Sequence, residues 1–133
     1  MLFRSPELWD KLTSLQTRPT SEIIWKISTL PGSVAGLVNR YVARPFLLHA
    51  HAGNGIIWVH ADRGAISDSN AIAGSGIEQA LAGAEGRYVV RRCPPEWKKQ
   101  VRVWGREFDD RALMRHVKAT LDPKNRFNPG RFV

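Results

Sequence analysis

The chain has 133 residues, 43% hydrophobic and 24% charged, and its 20 Lys and Arg outweigh 12 Asp and Glu to leave a formal charge of +8. Those figures describe one basic globular domain with a single core, and they exclude a complete multidomain enzyme. The lone cysteine, Cys93, rules out an internal disulfide and a Cys-rich zinc module, so the chain reads as a cytoplasmic protein.

The elements follow in chain order. Ser5-Pro6 resembles a helix cap and a first-turn proline, which predicts a short helix over 6–16 presenting Leu8, Leu12 and Leu15. Residues 1–20 form this lead-in and residues 21–133 form the domain proper. The β-branched and aromatic run over 22–29 predicts a strand, and Pro31-Gly32-Ser33 opens an amphipathic helix ending near Arg40. Residues 46–52 return to strand composition. Asn54-Gly55 then signals a two-residue turn with positive φ at both positions, folding residues 56–62 back on 46–52. A helix is expected over 70–83, a fourth strand over 87–92, and a last helix over 109–121 with Leu113, Val117 and Leu121 on one stripe. The order βαββαβ predicts an α+β, ferredoxin-like antiparallel sheet with helices on one face, followed by a C-terminal helix and an extended tail.

Alternation along the strands sorts the side chains. A two-residue turn places His51 opposite Trp58 and His49 opposite His60. Phe46, Leu48, Ala50, Ala52, Ile57, Val59 and Ala61 then share the face under the helices with Trp25, Ile27, Tyr88 and Val90. The opposite face carries His49, His51, Trp58 and His60, joined by Lys26, Ser28, Arg87 and Arg91. Three imidazoles, an indole and three cations on one wet face suit a planar ring or an anion. Residues 1–86 hold seven basic and seven acidic residues, so the whole excess charge lies in residues 87–133, with 13 basic and five acidic. A basic C-terminal portion of this kind fits a phosphate, a carboxylate or an acidic protein surface.

Two segments carry a family resemblance. The stretch LMRHVKATLDPKNRFNPGRFV, Leu113 to Val133, resembles the C-terminal signature of FAD-linked oxidases of the vanillyl-alcohol-oxidase type, a helix followed by LDPxxxFNPG. The hairpin HAHAGNGIIWVH resembles the HxGDGNxH stretch of that superfamily's 2-hydroxy-acid oxidases and dehydrogenases, and the pattern is most similar to the FAD-binding subunits of bacterial glycolate oxidases. The resemblance implies a cap domain whose sheet faces the flavin, with FAD held mainly by a separate domain for which this chain has no glycine-rich phosphate loop. It places the Phe127 to Arg131 tail against that domain, with Asn128 and Arg131 near the cofactor. It also implies a small 2-hydroxy acid as substrate and a flavin-binding domain or sister subunits as partners. His51 and His60 are then the candidate bases, and Lys26, Arg91 and Trp58 the candidate substrate contacts. The hairpin departs from the motif at three positions: Trp58 replaces the second histidine, Asn54 the aspartate and Ile56 the asparagine.

Two other readings use the same residues. His49, His51 and His60 on one face form a possible three-His zinc site with room for a water. A ferredoxin-like sheet with a basic tail also resembles an RNA-binding fold, but only Trp58 projects from the open face and the aromatic signature of such folds is missing, so no nucleic-acid partner is expected. No run approaches the roughly 18 apolar residues of a membrane span, and the polar start MLFRSPELWDKL does not read as a signal peptide.

Overall fold

The computed structural model describes residues 6–17, 21–42, 44–66, 86–106 and 109–130. Within them the chain forms helix α1 (Pro6–Thr17), strand β1 (Ile23–Thr29), helix α2 (Val34–Val42), strands β2 (Leu47–His51), β3 (Ile56–Ala61) and β4 (Gly86–Arg92), and helix α3 (Asp110–Leu121). The four strands make one antiparallel sheet in the order β2-β3-β1-β4, the strand order of the expected ferredoxin-like arrangement. The helix expected over 70–83 lies outside the described residues.

β1 occupies the middle of the sheet because its alternate side chains are the most apolar in the chain. Ile23, Trp25 and Ile27 are 0%, 2% and 0% exposed, and each contributes roughly 1.5–3 kcal/mol through burial. Ile57, Val59, Tyr88 and Val90 from the flanking strands complete that floor. Helix α2 covers it with Val34, Leu37 and Tyr41, its first turn tightened by Pro31 and by the Ser33 amide donating to the Leu30 carbonyl. Phe46 meets Trp25 edge-on at 5.5 Å between ring centroids.

The hairpin corrects the expected turn. His51 stands opposite Ile56, His49 opposite Trp58 and Leu47 opposite His60, a shift of two residues from the two-residue reading. Residues 52–55 all belong to the connection: Ala52–Asn54 form a single 3-10 turn, and Gly55 closes it at φ +66°. Asn54 does not adopt positive φ. Gly55 is needed here for a reason beyond the turn. A Cβ on it would lie 1.8 Å from the Thr29 carbonyl oxygen, since its own carbonyl accepts the Thr29 amide at 2.8 Å. The turn is therefore built against the end of β1, which selects the longer loop. A two-residue shift preserves the faces, so the apolar and histidine sides stay separated. Ala52 and Ala50 are nonetheless exposed instead of buried, the first in the turn and the second on an edge strand.

At the other edge, β4 contains a bulge. Trp25 pairs with Val90 and Ile24 with Arg92, leaving Arg91 as the extra residue. The edge beyond it is met by residues 103–105, where the Val90 amide donates to the Val103 carbonyl at 2.8 Å. Gly105, at φ +72°, permits the approach; a Cβ there would sit 2.8 Å from the Tyr88 carbonyl oxygen.

Replacing Gly55 by Ala should cost at least about 2 kcal/mol in a urea titration, from left-handed strain plus backbone collision. Gly53→Ala, in the same loop but with nothing within 4 Å of its added Cβ, should change stability by no more than about 0.5 kcal/mol.

Candidate functional site

The face opposite α2 is built around His49. Its ring stacks on Trp58, with centroids 6.0 Å apart and planes 12° from parallel, and on His60, at 5.3 Å and 29°. On the far side of Trp58, Lys26 places its ammonium 6.0 Å from the indole centroid. Cross-strand pairing explains the row, since Lys26, Trp58 and His49 are successive partners on β1, β3 and β2.

Burial divides the three imidazoles. His60 is 2% exposed although it lies on the open face, between Leu47 on β2 and Ile24 on β1. Its Nε2 and both ring nitrogens of His49 are buried without a hydrogen-bond partner. Burial pushes the pKa of each below the ordinary imidazole value, and His60 and His51 push that of His49 further down. Both rings are thus neutral near pH 7. His51, at the end of β2, is exposed, its ring 6.1 Å from that of His49.

The expected residues are only partly brought together. His51, His60, Trp58 and Lys26 share one surface, with His49 at its centre. Arg91 stands on β4, two strands from His60, about 10 Å by strand spacing, and three strands over and about four residues along from His51, roughly 19 Å. Register changes the premise of the zinc reading: His49 faces Trp58 instead of His60, and the His49 and His60 rings stack on each other. Among the described residues no group of three His, Cys, Asp or Glu side chains could hold a metal.

A second assembly closes the chain. Asp122, just past α3, accepts hydrogen bonds from the Arg126 and Phe127 amides at 2.8 and 2.9 Å and from Lys118 Nζ at 2.9 Å. Lys118 also donates to the Phe127 carbonyl at 2.8 Å, and the Asn125 amide donates to the Asp122 carbonyl. These bonds hold the Asp122 carboxyl below its ordinary pKa. The tail becomes a hook on which Asn125 and Asn128 both adopt φ +48°, a conformation asparagine tolerates better than most residues. The hook presents Phe127, 70% exposed, and Asn128 to the outside. Arg131 lies outside the described residues. Helix α3 buries none of its side chains, and its stripe of Leu113, Val117 and Leu121 is 64%, 46% and 76% exposed. Among the described residues nothing covers this stripe or Phe127.

Residues 99–132 match the family model of the FAD linked oxidases, C-terminal domain. The match spans 34 of the 133 residues, so the similarity to FAD-linked oxidases rests on the C-terminal quarter of the chain. It takes in the segment that closes the β4 edge, all of α3 and the hook, while the four strands lie before it. No curated protein and no solved structure matches the chain. Among the described residues no helix is long and apolar enough to cross a membrane.

Two residues central to this geometry escape the sequence reading. His49 enters it as one of the open-face histidines and a metal candidate, not as the centre of the row, because the assumed register put it opposite another histidine. Asp122 enters it only within the LDPxxxFNPG pattern, although an aspartate at a helix end followed by proline and asparagine is a signal for a side-chain-bonded turn.

His49 and His60 bind protons more weakly when folded than when unfolded, so their contribution is full above about pH 6.5 and is lost as pH falls through the depressed folded values. Urea midpoints should drop between about pH 7 and pH 5, and the H49Q/H60Q double variant should flatten that slope. Asp122→Asn should abolish hydrogen-exchange protection at the Arg126 and Phe127 amides while leaving the β1 amides protected.

Proposed function

We propose that this chain supplies the cap portion of an FAD-dependent oxidoreductase acting on a small 2-hydroxy acid of the glycolate type, the flavin being held by another domain or a sister subunit. The observation that carries the reading is the exposed stripe of Leu113, Val117, Leu121 and Phe127, which lies within the stretch matching the oxidases. A surface of that kind needs a covering partner. The residues present also suit such a group in part: the stacked Trp58 and His49 rings give an aromatic ridge beside Lys26, and Asn128 stands exposed on the hook. Bound there, FAD would accept a hydride from the substrate's α-carbon.

The chain's own residues supply the rest. The stacked Trp58 and His49 rings stand together as an uncharged ridge that displaces water. Lys26, half-buried beside Trp58, holds the substrate carboxylate by charge. His51 is the one imidazole of the three exposed to a ligand, and it takes the hydroxyl proton as the carbon gives up its hydride, leaving the 2-oxo acid. His60, its Nε2 closed off, works from beneath by stacking on His49. Association of the cap with a membrane, if the whole enzyme sits at one, would come through partner subunits.

Mixing the chain anaerobically with an FAD-loaded flavin-binding domain from an adjoining coding region and adding glycolate or lactate should bleach the flavin absorbance. His51→Gln should slow that bleaching by about 10²-fold or more, and Lys26→Gln should chiefly raise the 2-hydroxy acid concentration needed. Bleaching that is independent of this chain, or absent with every 2-hydroxy acid, contradicts the assignment.

A further inference from the structure

Edge strand β2 is the least committed part of the sheet. It pairs only with β3, and none of its five residues is fully buried. Leu48, half-buried, is its one side chain packed against the core. The anchors lie just outside the strand. Before it, Phe46 packs on Trp25 and Tyr41, with ring centroids 5.5 and 6.2 Å away; after it, the Gly55 carbonyl is fastened to the Thr29 amide. Between those two points β2 can leave β3 without disturbing β1, whose neighbours are β3 and β4.

On the open face, β2 is joined to β3 by the imidazole stack. The His49 and His60 rings lie 5.3 Å apart, and His49 Nδ1, His49 Nε2 and His60 Nε2 are all buried without a hydrogen-bond partner. A proton added to either ring puts charge on buried N–H groups that have no acceptor, beside a second ring able to charge in turn. The surrounding groups supply no relief. On β2 the neighbour is His51, another imidazole, at 6.1 Å; on β3 it is the uncharged Trp58; on β1 it is Lys26, a cation beyond the indole. β4 adds Arg87, bound to Asp110 at 2.9 Å, and Arg91 and Arg92 around its bulge. Glu22 and Asp62, one residue outside β1 and β3, are exposed and bond to none of the three nitrogens. Burial holds both rings below the ordinary imidazole range, which they regain once the strand is released into water. The released strand therefore gains on the paired one as pH falls below about 6.5.

We infer that β2 is an acid-operated strand: protonation of the His49–His60 stack frees Leu47–His51 from β3, while β3, β1 and β4 stay paired. This opening is local, distinct from loss of the whole fold, and requires only this chain. It goes beyond the flavin reading, on which it would also carry His51 out of the site.

The Thr29 amide donates to Gly55, its opposite residue, which sets the ladder so that Leu47, His49 and His51 turn their amides toward β3. Amide exchange of the 133-residue chain, followed by NMR at about pH 7.5 and about pH 5.5 and corrected for intrinsic rates, tests the proposal. Protection at those three amides should fall about tenfold or more relative to Trp25 and Ile27, since each proton taken up on opening is worth about tenfold per pH unit. H49F, which keeps a flat ring without a titrating nitrogen, should remove most of that fall. H116Q, at an exposed histidine on α3, should leave it within about twofold. In the unaltered chain the ring carbon shifts of His49 and His60 should titrate in step with the loss of β2 protection, a readout that stands even if H49F does not fold. Equal loss of protection in β1 and β2, ring titration with β2 still protected, or a fall that persists in folded H49F overturns the proposal.

Discussion

The structure depends on one strand being paired on both edges and dry on one side. β1 takes hydrogen-bonded partners from β3 and β4, and its odd-numbered residues from Ile23 to Ile27 reach essentially complete burial under α2. Once that face is fixed, the period of two assigns every neighbour. Lys26 must point away from the core, Trp58 must stand beside it, and His49 must follow on β2. The aromatic row on the open face is therefore a by-product of packing on the other face. A functional surface placed on a sheet in this way is rigid while its strands stay paired, because moving it then requires moving the core.

Such dependence explains how much was legible in the sequence. The α+β class, the four strands and the split between apolar and histidine faces all follow from alternation and from punctuation by Pro and Gly. Register is a finer matter. Asn54-Gly55 carries the signature of a tight turn, but the hairpin end also docks against the Thr29 backbone, and that contact is invisible in local sequence. The faces survived because the shift was even; the pairing of His49 with His60 did not. The bulge at Arg91 was equally hidden, since nothing in the run Tyr88 to Cys93 marks an extra residue. At the end of the chain the LDPxxxFNPG spacing was plain as a pattern, yet its physical content, a carboxylate gathering two amides and a lysine, emerged only from the geometry.

The two ends of the function sit on different constructions. The histidine face belongs to the sheet, whereas α3 and the hook form a separate piece that contributes no buried side chain to the core apart from the Asp122 carboxylate turned in on the hook itself. A helix of 12 residues with an exposed apolar stripe is marginal alone and gains stability from a partner. Between these two pieces lies a cleft walled by both β4 and α3.

The central claim is that the apolar stripe of α3 and the histidine face both look toward a flavin-binding domain. The most direct measurement is a map of NMR shift changes in this chain on adding that domain loaded with FAD. Changes confined to Leu113, Val117, Leu121, Phe127 and Asn128, together with Trp58, His49 and His51, are expected. Changes centred on α2, or none at α3 and the hook, would contradict it.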